Sequence, residues 1–144
     1  MTAATSVAAW PGPTAHVEPH QLAPGEQGRL VLTLEIPEGC HVQSHAPKEP
    51  FLIPTTFRVD VDSSGAILGT AVYPPAQTER FEWSPVVLDV YRDTLEIMVP
   101  VEIAPGSPAG TTTISGHVRY QGCTETACLP PVEHTIEAPF EVTA

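Results

Sequence analysis

The amino-acid sequence predicts an all-β fold. Its 144 residues include 17 prolines and 10 glycines, which separate short runs rich in Val, Ile, Leu and Thr. Proline interrupts helices, and no stretch repeats apolar residues at the i, i+3, i+4, i+7 spacing of an amphipathic helix. A chain of this length fits one domain and buries roughly two thirds of its unfolded surface, so it can fold without a disulfide.

The first half of the chain alternates between strand-like runs and turn signals. Residues 1–24 are predicted to form a loose lead-in and a first strand, and residues 25–144 the domain itself. The turn "LAPGEQG" precedes the run "RLVLTLEI" at 29–36, which is a predicted strand. After a turn at "PEG" and a short extended piece, "TTFRVDV" at 55–61 and "AILGTAVYP" at 66–74 are the next strands, separated by the turn "DSSG".

The second half continues the same pattern. "VVLDVY" at 86–91 is followed by "TLEIMVPVEI" at 94–103, in which every second residue from Leu95 to Val101 is apolar and marks one buried face. "APGSPAG" ends that run, and residues 111–123 and 133–142 form the last strands. About eight strands at spacings of roughly 8 to 12 residues predict an antiparallel β-sandwich of immunoglobulin-like type.

Charge and hydropathy exclude several classes of partner. Six Lys and Arg against 17 Asp and Glu give a net charge of -11, which repels nucleic-acid phosphates and anionic lipids. No stretch approaches the roughly 18 apolar residues of a membrane span. The start "MTAATSVAAW" lacks the features of a signal peptide. We therefore expect a soluble protein, either cytosolic or a secreted domain whose targeting segment was removed.

Two of the three cysteines, Cys123 and Cys128, lie near the ends of the connection between the last two strands, with Thr124 to Ala127 as its tip. They can face each other across a hairpin. Directly opposed residues in a non-hydrogen-bonded pair have Cα atoms about 4.5 Å apart, which a disulfide tolerates.

This pair has three interpretations. A structural disulfide would contribute little, since closing so short a loop stabilises by roughly 2 kcal/mol, against roughly 4.7 for a loop of 100 residues. A redox-active dithiol is favoured because the sequence has no phosphate-binding loop, no nucleophile elbow and no clustered carboxylate pair. The alternative function is a noncatalytic sandwich that binds a partner or a metal and carries a local disulfide.

The metal interpretation has weak support from spacing. Its candidate ligands are cysteines and histidines: Cys40, His41, His45, Cys123, Cys128 and His134. Structural zinc sites favour two pairs whose members are two to four residues apart, which this pattern does not match. We therefore predict no metal and no cofactor. His41 is interpreted as a strand histidine at a sheet face, and Cys40 as a small buried apolar residue.

Several segments resemble one family. "VRYQGCTETACLPP" and "VYRDTLEIMVPVEI" resemble the N-terminal periplasmic domains of the thiol:disulfide interchange proteins DsbD, and "IPEGCHVQSHAP" and "PFLIPTTFRV" are similar to the opening strands of that family. The resemblance covers roughly residues 25–142. It implies an immunoglobulin-like, monomeric, extracytoplasmic domain of a membrane-anchored reductase. Its dithiol would take reducing equivalents from a membrane reductase through a thioredoxin-like domain and pass them to oxidised periplasmic proteins.

The resemblance also implies roles for individual residues. Cys128, the second cysteine, would join the partner in a mixed disulfide, and Cys123 would then release the partner. The loop at Phe81 to Pro85 would cap the dithiol, with Phe81, Glu82 and Trp83 shielding the sulfurs. The alternative for Phe81 and Trp83 is ordinary sandwich core. This chain has Cys40, His41 and Gln43 where the family has aromatic residues near the first strand.

Thiol chemistry predicts a slow dithiol that a docked partner activates. Cationic neighbours lower a cysteine pKa, and the sequence offers none close by, since Arg119 is four residues from Cys123 along an extended strand. Glu125 and Glu133 are near instead. We predict that Cys123 and Cys128 form the disulfide and that Cys40 is free, because only the first pair is placed by local chain geometry.

Overall fold

The computed structural model describes residues 10–60 and 65–144, and every regular element in these ranges is a β-strand. The strands are β1 Thr14–Glu18, β2 Gln21–Leu22, β3 Gln27–Glu35, β4 His41–Gln43, β5 Thr56–Val59, β6 Ala66–Leu68, β7 Gln77–Glu79, β8 Leu88–Tyr91, β9 Thr94–Ile103, β10 Gly110–Tyr120, β11 Gly122–Cys123 and β12 Val132–Val142. The all-β prediction is confirmed. The described segments contain no helix long and apolar enough to span a membrane.

The strands form three four-stranded sheets with the orders β1-β3-β9-β6, β2-β12-β10-β5 and β11-β4-β8-β7. Neighbouring strands are antiparallel except β2 and β12, which are parallel. One apolar core joins the first two sheets, with Leu30 and Val99 from one and Ile114 and Phe140 from the other. This arrangement is the predicted immunoglobulin-like sandwich. Cys123 belongs to the third, smaller sheet.

Strand β9 shows why the sequence folds this way. Alternate side chains of a strand point to opposite faces of its sheet. Leu95, Ile97, Val99 and Val101 are each at most 2% exposed, whereas the residues between them are more exposed. The predicted buried face and both predicted ends of this strand are confirmed.

The strand predicted at 66–74 is shorter than expected. Strand β6 ends at Leu68, opposite Val101 of β9. The next residue of β9 along this pairing is Pro100, which has no N–H to donate to a neighbouring strand. Pairing resumes only as an isolated bridge between Val72 and Met98. The turn predicted at "DSSG" falls largely on residues 61–64, outside the described ranges.

The strand predicted at 111–123 divides at Gln121. Strand β10 pairs with β12 and β5, whereas β11 pairs with β4 in the third sheet. Gly122 lies against the ring of Trp10, where an added Cβ would be 2.6 Å from a ring carbon. The lack of a side chain at Gly122 therefore lets the strand change sheets beneath Trp10.

Part of the predicted lead-in is packed. Residues 1–9 lie outside the described ranges. Trp10 is 7% exposed and stacks on Tyr120 with ring centroids 5.7 Å apart, and β1 begins at Thr14. The aromatic contact places residue 10 beside the strand that leads to the cysteines. The division of the chain at residue 24 stays a prediction.

Candidate functional site

Cys123 and Cys128 form a disulfide with an S–S distance of 2.08 Å, and Cys40 is free and buried. The structure therefore has the predicted pairing. The Cα atoms of the bridged residues are 4.0 Å apart. The disulfide closes the base of a short hairpin that follows β11.

Two backbone hydrogen bonds flank this disulfide. The Thr124 N–H donates to the Ala127 carbonyl at 2.7 Å, and the Leu129 N–H donates to the Gly122 carbonyl at 2.8 Å. The cysteines between them are a non-hydrogen-bonded pair, in which side chains lie closest. The Thr124 hydroxyl oxygen also accepts hydrogen bonds from the N–H groups of the tip at 3.3 and 3.2 Å. The hairpin geometry expected from the four-residue tip is thus present.

The two cysteines differ in exposure. Cys123 is 0% exposed and is the last residue of β11, which pairs with β4 at the edge of the third sheet. Cys128 is an exposed residue on the outer side of the hairpin, followed by exposed Pro130 and Pro131. A thiol-disulfide exchange begins when a thiolate contacts one sulfur. Cys128 is the more exposed residue of this disulfide.

Strand β4 separates two apolar clusters because its side chains alternate between faces. Cys40, just before the strand, and Val42 belong to the main core. His41 and Gln43 lie on the opposite face, and the His41 ring stacks on Phe81 with centroids 4.5 Å apart. Phe81 forms a second, smaller core with Leu88 and Val90, packed by Leu52 and Val86. Cys123 lies opposite His41 in the β11–β4 pairing and therefore on the same face.

The predicted cap residues lie beside the cysteine hairpin. Phe81 is 5% exposed and stacks on Trp83 at 5.5 Å, and Trp83 is 38% exposed. A surface depression of about 580 Å³ is lined by residues 80–83 and by Glu125 and Thr126 of the hairpin tip. The loop residues Phe81, Glu82 and Trp83 therefore border the hairpin. Their role in shielding the sulfurs stays a prediction.

Arg92 connects these parts, and sequence reasoning missed it. Its guanidinium donates to the Glu79 carboxylate at 2.6 and 2.7 Å, to the Glu125 carboxylate at 3.1 Å and to the Cys40 carbonyl at 3.1 Å. It also lies 5.9 Å from the centre of the Phe81 ring. The sequence offers no cation close to Cys123, and the structure adds Arg92, which the third sheet brings to Glu125 at the hairpin tip. The hydrogen bonds from Arg92 lower the pKa of Glu79.

His41 and Gln43 are buried without hydrogen-bond partners. Both side chains are 0% exposed, and neither the two ring nitrogens of His41 nor the amide atoms of Gln43 have a partner. Burial, reinforced by the charge of Arg92, lowers the pKa of His41 to about 4, so its imidazole is neutral at pH 7. Burial likewise raises the pKa of the Cys40 thiol, which keeps it protonated and unreactive.

The candidate ligands of the metal interpretation have other partners or do not form a metal-binding group. His45 hydrogen-bonds the Tyr91 hydroxyl at 3.0 Å and stacks on Tyr73, and His134 stacks on Tyr120. Within residues 10–60 and 65–144, no three His, Cys, Asp or Glu side chains are grouped to hold a metal ion.

Comparison with known proteins places this geometry in a family. The family model "Thiol:disulfide interchange protein DsbD, N-terminal" matches residues 10–139, which includes Trp10 and both hairpin cysteines. No curated protein matches the chain. The reduced N-terminal domain of Neisseria meningitidis DsbD aligns with a TM-score of 0.52 at 16% identity over 92% of this chain and 84% of that one. The N-terminal periplasmic domain of ScsB from Proteus mirabilis aligns with a TM-score of 0.58 at 10% identity over 85% of this chain and 43% of that one.

At these identities the two structures show the fold alone, and the family model carries the assignment. The matched region covers most of the chain and contains the disulfide hairpin, the neighbouring loop and the sandwich that positions both. The chain belongs to the family of DsbD N-terminal domains, which are thiol:disulfide exchange modules.

Proposed function

We propose that Cys123 and Cys128 are the redox-active dithiol of this module. The observation that carries the proposal is the asymmetric disulfide, in which Cys123 is 0% exposed and Cys128 is an exposed residue. The dithiol receives reducing equivalents from a thioredoxin-like domain, itself reduced by a membrane reductase domain. It passes them to oxidised proteins in the periplasm or another extracytoplasmic space.

The exchange proceeds through a mixed disulfide. In the reduced protein the Cys128 thiolate attacks a disulfide of the acceptor, and one acceptor sulfur leaves as a thiolate. The Cys123 sulfur then attacks the Cys128 sulfur, which releases the second acceptor sulfur and re-forms the Cys123–Cys128 bond. Two electrons pass from the dithiol to the acceptor. The donor reverses these steps and restores the dithiol.

The surroundings of the hairpin support dependence on a partner. Trp83 and Phe81 stand beside the hairpin, and the Arg92–Glu125 ion pair ties the hairpin tip to the same cluster. Residue Cys128 is exposed, and we expect a docking partner that displaces this loop to widen the approach to the sulfur atoms beside it. The domain alone is therefore expected to exchange slowly with small thiols.

Titration in defined glutathione buffers tests this proposal. A Cys40→Ala background removes the third thiol, and Cys128→Ser in that background is the matched control. The dithiol is expected to cycle reversibly between reduced and oxidised states while circular dichroism shows a folded protein. Reduction of the disulfide only when the protein unfolds would show that the bond is structural and would contradict the proposal.

A further inference from the structure

The imidazole of His41 is buried without a hydrogen-bond partner. Its ring is 0% exposed, and neither nitrogen has a hydrogen bond in the disulfide form. Leaving a buried polar group without a partner is costly, and such groups in native structures commonly have a functional reason. A partner for His41 can therefore arise when the disulfide is reduced.

The register of the third sheet places His41 beside one of the two cysteines. Cys123 pairs directly with His41, so the two side chains lie on the same face of the sheet. Cβ atoms of directly opposed residues in an antiparallel pair are about 4.5–5.5 Å apart. The stacking of His41 on Phe81 fixes the plane of the imidazole. In the disulfide form the Cys123 sulfur carries no proton, and reduction adds one at this position.

We propose that His41 accepts a hydrogen bond from the reduced Cys123 thiol and takes its proton when that thiol attacks. This inference rests on the proposed function of the dithiol. His41 is then a proton acceptor that serves one of the two sulfurs, the buried one.

The attack takes place on the mixed disulfide between Cys128 and an acceptor protein. The Cys123 thiol transfers its proton to an imidazole nitrogen while its sulfur attacks the Cys128 sulfur. The Cys123–Cys128 bond forms and the bond from Cys128 to the acceptor breaks. The acceptor sulfur leaves with the electron pair as a thiolate and takes the proton from the imidazolium. The dithiol is oxidised by two electrons and the acceptor disulfide is reduced.

The electrostatic surroundings of His41 fit a proton acceptor. The charged groups that act on His41 are Arg92, Glu79 and Glu125. Burial and Arg92 keep the ring neutral, which leaves one nitrogen free to accept a proton. Because the pKa of His41 is low, the imidazole takes the thiol proton only while the new sulfur–sulfur bond forms, and the imidazolium then returns the proton readily to the leaving thiolate.

One other acceptor lies near the Cys123 sulfur. The Gln121 carbonyl oxygen is 4.0 Å away. A carbonyl can accept a thiol hydrogen bond but cannot take the proton, so it does not replace His41 in the attack.

The test uses the full chain in the Cys40→Ala background, with His41→Phe as the variant and Gln43→Leu as the control. Phe keeps a ring to stack on Phe81 and removes both nitrogens. Gln43 is equally buried and equally unpartnered on the same face, but it lies opposite Val90. The reduced protein is mixed with stoichiometric Ellman's reagent, which releases one thionitrobenzoate when Cys128 attacks and a second when Cys123 closes the disulfide.

The expected result is a second release at least tenfold slower in His41→Phe, as is common when a general base is lost, with the first release unchanged. The second rate in His41→Phe rises in proportion to hydroxide, whereas the parent rate changes less with pH. The equilibrium with glutathione shifts roughly three- to tenfold toward the disulfide, which lowers the reduction potential by at most about 30 mV. Gln43→Leu is expected to have the parental rate of second release and the parental equilibrium with glutathione.

Equal second rates in the parent and His41→Phe would overturn the assignment of His41 while leaving the dithiol intact. A parent that releases no second thionitrobenzoate would instead overturn the proposed function. If His41→Phe does not fold, His41→Gln is used as the test variant. The amide of Gln can accept a hydrogen bond from the Cys123 thiol but cannot take its proton. A slow second release with an unshifted equilibrium in His41→Gln supports the proposal, and a parental rate overturns it.

Discussion

Arg92 donates a hydrogen bond to Glu125 across 3.1 Å, and it thereby ties the end of β8 to the tip of the disulfide hairpin. The same guanidinium holds Glu79, the last residue of β7 before the loop that contains Phe81 and Trp83. A single cation thus links the two segments that border the cysteines.

Breaking this link is expected to loosen the loop. In Glu125→Gln the ion pair is lost, and because a pair of this exposure contributes about 0.2–1 kcal/mol, we expect acrylamide quenching of Trp83 to rise up to roughly fivefold. High salt should produce the same increase in the parent, because it screens exposed charges, and should add nothing in the variant. The matched control is Glu133→Gln, which loses an ion pair to Arg58 away from the site. An unchanged quenching constant in Glu125→Gln would show that the pair does not restrain the loop.

Trp83 and Phe81 are expected to respond differently to truncation. Trp83 is 38% exposed, so Trp83→Ala should cost well under the roughly 3–5 kcal/mol of a fully buried aromatic while speeding alkylation of the reduced dithiol by iodoacetamide. Phe81 is part of the small core, so Phe81→Ala should also lower the free energy of unfolding by roughly 3 kcal/mol. Alkylation rates and urea denaturation measure the two effects. A Trp83→Ala protein that alkylates no faster than the parent would remove Trp83 from the cap.

The unequal exposure of the cysteines predicts unequal trapping of a partner. Cys123→Ser should accumulate a mixed disulfide between Cys128 and a thioredoxin-like protein, because no second thiol remains to release the partner. Cys128→Ser should trap at least tenfold less, since Cys123 is 0% exposed. Both variants are compared on non-reducing gels in the Cys40→Ala background. Equal trapping, or more trapping by Cys128→Ser, would reverse the roles of the two cysteines.

Acid should destabilise the fold through His41. The pKa of His41 is lowered to about 4 in the folded protein, from about 6.5 in the unfolded chain, so the unfolded state binds the proton more tightly. The free energy of unfolding is therefore unaffected by His41 above pH 6.5. It falls by about 3 kcal/mol as the pH falls from 6.5 toward 4. Urea denaturation between pH 4 and 8 measures it.

His41→Phe is the control for this pH effect, because it should abolish the loss between pH 6.5 and 4. The Arg92–Glu79 pair should remain in that variant and add its own loss at lower pH, since the depressed pKa of Glu79 makes its contribution disappear below the usual value of 4.5. A His41→Phe protein with the parental pH profile would assign the effect to other groups.

Local patterns allowed the sandwich and the disulfide to be predicted. The alternation from Leu95 to Val101 determines one face of β9 without reference to any other strand. The pairing of Cys123 with Cys128 depends on a turn of four residues, which the chain closes by itself. Both features involve short sequence separations, so the sequence contains the information directly.

Arg92 could not be predicted as a neighbour of the hairpin, and only the family resemblance placed His41 near the dithiol, because both positions depend on strand pairing between distant segments. Gln121 gives no sign that the strand leaves one sheet for another, and only that change brings β11 beside β4. A signal for Arg92 did exist in the composition. With six cations and 17 carboxylates, each Lys or Arg was a candidate for an ion pair, and Arg92 immediately precedes a turn at Asp93, whose φ is 65°.

The two faces of strand β4 contribute to different parts of the domain. Cys40 and Val42 face the large core, whereas His41 and Gln43 face the cluster around Phe81 and the sulfurs. Substitutions at Cys40 and Val42 alter how firmly the two large sheets pack. Substitution of His41 alters the proton transfer proposed for the dithiol and also the stability of the fold in acid. Acid tolerance and electron-transfer chemistry are therefore coupled in this domain, because both depend on the same buried imidazole.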